Sequence, residues 1–461
     1  MAIVTGWRRY VTVQPPAMMI LCAISMIGAI LTELLMYRTC TIVLNINKTE
    51  CMLLKNNGSS SEALRINKLV QSEIYKYNIC RSVIENLFPT IISFFVGPWS
   101  DTYGRKPLII TSLFGYTLWF TTLSLMSKWQ INPWYFLIAY IPIACFGGLC
   151  FVLIASFSYI TDITSEDDRT WHLACFDIYL FFGVLVGIYT GPLMCKYFGY
   201  AFVFGIAAVF SLLANLFIIF LVPETIQRSS SMSLCSLFDK KHVVNLLNVC
   251  KSRSGFDRCL VWCCSIYLLL LITTMEGDVT IIYLFTNARL GWNASQYSYY
   301  MVTNIILSGI GSVIGIKIFC SLLGFSELNV VIFATFSSLF GALIKSFTWL
   351  PWHMYLSITV SMFGGSLCGS LIRSVVSKLV PSTDTGKIFS LITSIQMITP
   401  IFACILYLTI YTDYLPPIYP SPVWLISCAF FILMILLSIF IKIRISSACG
   451  QQYIEISQES E

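Results

Sequence analysis

The chain has 461 residues, 57% of them hydrophobic and 11% charged, with a formal net charge of +6. Soluble globular chains are about 25% charged, so a single water-soluble core of this size is excluded and lipid must solvate most of the surface. The positive charge is spread along the chain rather than gathered into a block, which gives no footprint for a nucleic-acid partner.

A bilayer core about 30 Å thick is crossed by about 20 helical residues. Twelve apolar stretches of that order follow one another, at about 16–37, 79–100, 107–127, 134–160, 171–194, 200–222, 259–286, 297–323, 327–348, 352–374, 387–410 and 422–444. They predict an all-α membrane protein with twelve transmembrane helices, since chain in lipid must satisfy its own backbone hydrogen bonds. The first span follows MAIVTGWRRYVTVQPP and lacks a small-residue cleavage site, so it reads as retained. Placing the N-terminus in the cytosol puts Arg8, Arg9, Arg105, Lys106, Arg169, Lys240, Lys241, Lys251, Arg253, Arg258, Lys378, Lys387, Lys442 and Arg444 inside. The short outer loops then hold Lys128, Lys196, Arg289 and Lys345. That excess predicts both termini in the cytosol.

In chain order, Glu33 comes near the outer end of span one. An outer loop over about 38–78 carries the glycosylation sequons at Asn47 and Asn57. Cys40 and Cys51 share that oxidising face and are candidates to pair, with two free thiols as the alternative. Arg81 and Glu85 stand four apart in span two, on one helix side. Spans two and three are joined by Gly97-x-x-x-Asp101-x-x-Gly104-Arg105-Lys106. Glycine permits a tight turn, Asp101 is a candidate helix cap, and the two cations anchor the turn in the cytosol.

This pattern, its place after span two and the six-plus-six layout resemble the signature loop of the major facilitator superfamily. Within it, VGPWSDTYGRKPLI from 96, SFSYITDITSEDDRTWHLACFD from 156, GSLIRSVVSKLV from 369 and TDTGKIFS from 383 resemble solute carrier family 46, the proton-coupled folate transporter family. The resemblance implies a gate at Asp101, Gly104, Arg105 and Lys106, a proton-coupling acid at Asp177 and substrate handling at Arg373. It also shows a departure: the family's folate transporter has a His in span seven where this chain has Thr273, and His172, His242 and His353 all lie near helix ends or in loops.

Span five contains Gly183, Gly187, Gly191 and Pro192, a small-residue stripe read first as helix packing. The connection over about 223–258 begins Pro223-Glu224-Thr225 and divides the chain into an N-terminal half (1–222) and a C-terminal half (259–445), followed by a cytosolic tail (446–461). No residue-by-residue repeat between the halves is evident. Cys259, Cys263 and Cys264 open span seven without a nearby His or carboxylate, so no metal is expected. Glu276 and Asp278, either side of Gly277, point in different directions on a helix, and a locally opened helix there is one reading. Burial disfavours the charged form of a carboxylate, the property that proton coupling uses. Both are therefore candidate coupling acids, and Glu85 joins Arg373 as a candidate substrate contact. A third sequon at Asn293 falls on the outer side, and glycines 309, 311, 315, 364, 365 and 369 mark close helix packing in spans eight and ten. Trp119, Tyr159, Tyr179 and Tyr283 are candidates to stack on a ring, although membrane aromatics more often pack or anchor. Tyr453-Ile454-Glu455-Ile456 resembles a tyrosine-based sorting signal.

The expectation is a secondary active transporter that moves an organic, anionic solute by alternating access, with proton coupling implied by the resemblance. Its partners would be that solute, protons and the lipid bilayer. There is no nucleotide-binding P-loop, so no cofactor is expected, and no catalytic constellation, so it is not expected to be an enzyme. The alternative is a non-transporting membrane receptor or scaffold that keeps the fold. Folates, other pteridines, peptidoglycan fragments and cyclic dinucleotides stay open as solutes. So do symport against antiport, and the oligomeric state. The plasma membrane is the expected residence, with endosome or lysosome as alternatives.

Overall fold

A computed structural model describes residues 13–56, 61–163, 166–225, 258–379, 392, 396, 398–414 and 419–459. Asn57, the basic stretch around Lys240 and Lys241, and Lys387 lie outside these residues, as do the side chains of Asp101, Asp177, Lys378 and Tyr453. Among the described residues every regular element is helical: α1 (Gln14–Arg38), α2 (Lys48–Asn56), α3 (Ser61–Tyr103), α4 (Lys106–Lys128), α5 (Phe136–Phe146), α6 (Gly148–Ile163), α7 (Glu166–Phe198), α8 (Tyr200–Phe220), α9 (Arg258–Leu290), α10 (Ala294–Ile314), α11 (Glu327–Ser346), α12 (Pro351–Val360), α13 (Ser366–Leu379), α14 (Thr399–Asp413) and α15 (Pro422–Glu459).

Nine helical stretches among the described residues, one of them α5 and α6 taken together, are long and apolar enough to cross a membrane. The other three expected spans fall on α3, on α12 with α13, and on α14. Helix boundaries follow local chemistry. Proline stands in the first turn of α1, α4, α12 and α14, where its missing N–H costs nothing. Ser326 Oγ accepts from Asn329 N at the start of α11. Lys128, Lys196, Arg289 and Lys345, expected in outer loops, instead occupy the last turns of α4, α7, α9 and α11. A cation there faces the negative end of the helix dipole.

Two expectations are corrected. The segment after span one, expected as an outer loop, is largely helical: α2 and the start of α3 fill it, and the 43 residues of α3 extend about 65 Å, more than a bilayer needs. Span four is two helices, α5 and α6, and span ten is likewise split into α12 and α13. The helix of the last span, α15, continues into the tail as far as Glu459.

The chain forms two compact units, residues up to Asn245 with Ile282–Val302, and Leu246–Ile281 with Thr303 onward. In the first, α1 packs on α7 and α8, α4 packs on α8 and α5, and α3 packs on α5 and α6. The glycine stripe of α7 makes the first of these contacts. A Cβ at Gly183, Gly187 or Gly191 would run into the backbone carbonyls of Met18, Cys22 and Met26. Arg38, buried at the end of α1, donates to the carbonyls of Met126 (3.1 Å) and Ser127 (2.7 Å) at the end of α4. Just beyond it, Cys40 and Cys51 form a disulfide with Cα atoms 5.9 Å apart. The same unit takes in the end of α9, where Gln71 Nε2 donates to Leu284 O at 3.2 Å.

In the second unit α11 packs on α15, α12 and α13. Its core gathers Leu268, Val331, Leu367, Ile372 and Met434 around fully buried Tyr267 and Cys264. Cys264 is thus a core residue, as its apolar setting implies.

Candidate functional site

The charged turn between α3 and α4 is built around a positive-φ glycine. Gly104 has φ +114°, a region that favours glycine, and a Cβ there would lie 2.6 Å from Glu224 Oε2. The missing side chain lets Glu224 reach the helix start. Its carboxylate accepts from the backbone N–H groups of Arg105 (3.0 Å) and Lys106 (3.2 Å), an anion at the positive end of α4. Lys106 Nζ in turn donates to the carbonyls of Ile219 and Val222, both at 2.8 Å, at the end of α8. Arg105 is buried, and its Nε lies 3.2 Å from Asp162 Oδ2 in the last turn of α6. Thr225 Oγ1 donates to the same Asp162 oxygen at 3.2 Å. One turn therefore ties the starts and ends of α4, α6 and α8 together. The expected partner Asp101 lies in the last turn of α3 with its side chain outside the described residues.

The broken helices repeat one design in each unit. The first break falls at Phe146-Gly147-Gly148, with φ +83° and +52° at the glycines. The second falls at Phe363-Gly364-Gly365, with φ +57° at Gly365. Leu and Cys follow in both, as Leu149-Cys150 and Leu367-Cys368. Each break exposes backbone carbonyls inside a membrane segment, and in each a serine on the neighbouring helix answers one. Ser112 Oγ of α4 donates to Gly148 O, and Ser337 Oγ of α11 donates to Val360 O at 2.5 Å. The ends of the broken helices are tied as well. Glu327, at the start of α11, accepts from Ser374 Oγ of α13 at 2.9 Å, as Arg105 at the start of α4 meets Asp162 of α6. Arg373, the expected substrate residue, stands exposed beside Ser374.

The expected coupling acids separate. α9 runs unbroken through Glu276 and Asp278, so the helix is not opened there. Thr280 Oγ1 back-bonds to Glu276 O at 2.7 Å, and Gly277 lies against the Tyr407 ring. Asp278 takes both its bonds from Lys345 Nζ, at 2.9 and 2.7 Å, and that lysine is 11% exposed and lies 5.1 Å from the centre of the Trp424 ring. Glu276 is half-buried on a different side of α9. In the other unit Glu85 Oε2 lies 3.6 Å from Arg81 Nε, whose guanidinium is 5.9 Å from the Tyr140 ring centre. Tyr200 OH donates to Glu33 at 3.3 Å. Asn47 is exposed. Asn293 starts α10, where its Oδ1 accepts from Gln296 N and Gln296 Oε1 accepts from Asn293 N.

The sequence matches the profile of the Major Facilitator Superfamily over residues 83–404, well over half of the chain. The chain belongs to the Major Facilitator Superfamily. Several relatives belong to one branch of the superfamily. The chain is 24% identical to a probable peptidoglycan muropeptide transporter SLC46 of Drosophila melanogaster, over 87% of this chain and 79% of that one. It is 29% identical to the lysosomal proton-coupled steroid conjugate and bile acid symporter SLC46A3 of Rattus norvegicus, over 84% and 83%. It is 22% identical to the proton-coupled folate transporter of the same species, over 68% of each chain. Among solved folds, the human organic anion transporter MFSD10 (TETRAN) gives a TM-score of 0.65 at 15% identity, covering 94% of this chain and all of that one. The D-xylose-proton symporter gives 0.62 at 13%, covering 92% and 95%. The superfamily member is thus a multi-pass membrane transporter that resembles the SLC46 branch, and these relatives are transporters rather than enzymes.

Sequence reasoning missed Asp162, Glu224, Lys345, Ser112 and Ser337. Glu224 had a signal in Pro223-Glu224-Thr225, read only as the start of a linker. The paired Phe-Gly-Gly stretches, at 146–148 and 363–365, carried the repeat, shifted by one residue at Ser366.

Proposed function

We propose that the protein is a proton-coupled symporter of an organic anion, working by alternating access. The observation that carries this reading is the pair of broken helices. Glycine-interrupted segments at corresponding places in two halves are the structural mark of substrate-handling elements in secondary transporters. Gly147, Gly148 and Gly364 are buried and the Phe151 ring covers Gly147, so the breaks act as joints at which these segments bend as the transporter cycles. The Arg105–Asp162 and Glu224 contacts supply a latch that opens and closes by exchanging charge partners. The names of the relatives, which include proton-coupled symporters of steroid conjugates, bile acids and folate, support an anionic cargo and a proton as driving ion.

We assign the proton step to Glu276 and Asp177. Asp278 serves as counter-ion to a largely enclosed lysine, and a coupling acid must accept a proton without leaving such a cation unpaired, which is costly. We place both termini in the cytosol, keep the division into six-helix halves about the 223–258 connection, and assign residence to the plasma membrane or a lysosomal membrane. The test is uptake of labelled steroid sulfate, bile acid, folate and muropeptide probes into vesicles under an imposed pH gradient. The reading expects uptake of at least one probe to rise with external acidity and to lose that rise in Glu276→Gln or Asp177→Asn. Acid stimulation unchanged in both variants at equal surface level would remove these acids from the mechanism.

A further inference from the structure

Away from the latch and the breaks, a cavity of about 450 Å³ opens between α11 and α15. Its lining is Ile332 of α11 with Ile439, Lys442, Ile443 and Ser446 of α15. The α15 positions recur at i, i+3, i+4 and i+7, so they form one face of the helix. This face is turned away from the protein interior: Ile439 is 39% and Ile443 61% exposed, whereas Ser438 and Ile441 on the opposite side are fully buried.

Polarity changes along the groove. Ile332, Ile439 and Ile443 give it apolar walls, and Lys442 and Ser446 stand toward the C-terminal end of α15. Ser446 lies about 10 Å further along the helix axis than Ile439. The charge-free apolar run of α15 ends at Lys442, two residues before Arg444, so the cation and the hydroxyl sit where hydrocarbon gives way to headgroups. A concave apolar channel in lipid, closed at the headgroup level by one positive charge and one hydrogen-bond donor, has the charge and shape of a single lipid with a negative head.

We propose that this groove binds an anionic phospholipid from the leaflet at the C-terminal end of α15. Its phosphate takes the Lys442 ammonium and the Ser446 hydroxyl, and an acyl chain lies along Ile439, Ile443 and Ile332. Charge complementarity sets the preference, because a lysine at an anionic membrane surface contributes about a fivefold gain in binding. In the orientation proposed above that leaflet is the cytosolic one, but the binding itself does not depend on transport.

The test is native mass spectrometry of the purified full chain, relipidated with equal amounts of phosphatidylserine and phosphatidylcholine of the same acyl composition. The wild-type chain is expected to retain phosphatidylserine in preference. Lys442→Gln should lower retained phosphatidylserine about fivefold and leave phosphatidylcholine unchanged, whereas Lys442→Arg should keep the preference. Ile439→Trp, which fills the channel, should lower retention of both lipids. An unchanged unfolding midpoint in detergent without added lipid shows that the variants are folded. Equal retention of both lipids by the wild-type chain, or wild-type retention of phosphatidylserine by Lys442→Gln, would overturn the proposal.

Discussion

Replacing Lys345 by Met separates the two meanings that Asp278 can have. In the native fold the Asp278 carboxylate accepts two bonds from Lys345, and the pair rests against Trp424. Removing one partner of a fully buried pair costs about 3–5 kcal/mol. Asp278 retains 30% exposure, so water recovers part of that, and about 2–3 kcal/mol is expected for Lys345→Met, with a similar loss for Asp278→Asn. The double variant carries no charge at the site and should regain most of the loss, giving a coupling energy of about 4 kcal/mol. The assay is reversible unfolding of the four proteins in mixed micelles by titrated SDS, where that coupling is roughly a thousandfold change in the folded-to-unfolded ratio. A scaffold pair also predicts that the double variant keeps acid-stimulated uptake. Additive single effects, each under about 0.5 kcal/mol, would refute the energetic reasoning. Loss of acid stimulation in a well-folded double variant would return Asp278 to the coupling step.

Other perturbations test separate parts of the molecule. Gly187→Ala drives a methyl group into the Cys22 carbonyl. It should destabilise by about 1–3 kcal/mol, seen as a lower melting temperature on size-exclusion chromatography after heating. Replacing both Cys40 and Cys51 by Ser opens a short loop of sequence separation 11 and should cost about 2–3 kcal/mol, measured by the same melting assay against the oxidised wild-type chain. Arg105→Gln should reduce Vmax at least tenfold with KM little changed, because the latch holds a conformation rather than the solute. A raised KM with intact Vmax would place Arg105 at the substrate instead.

Much of the architecture was legible because lipid imposes one rule, that backbone groups pair within their own helix. Apolar length then locates the spans, and Gly97 to Lys106 marks the turn. Breaks were harder to see. Gly147-Gly148 and Gly364-Gly365 stand in uninterrupted apolar sequence, and hydropathy does not register a φ angle. The segment after span one is polar enough to read as a loop, yet α2 and the start of α3 fill it with helix.

The candidate site was legible only in part, because its members pair across long sequence separations. Arg105 was visible from its motif; Asp162, its partner, was one more carboxylate at a helix end. Lys345 counted as a loop cation because it lies at the edge of an apolar run, and only packing of α11 against α15 and α9 brings it to Asp278. The glycines of α7 were read correctly as packing, since their spacing states directly which face approaches another backbone.

The central claim is that this chain moves a solute against its gradient at the expense of protons. The most direct measurement is accumulation of a labelled organic anion by the purified chain in sealed proteoliposomes with an acidic exterior, with and without a protonophore. The account predicts accumulation above the external concentration, collapsed by the protonophore and slowed at least tenfold in Arg105→Gln. A reconstituted chain that binds the anion yet never concentrates it would contradict the account and favour a receptor built on a transporter fold.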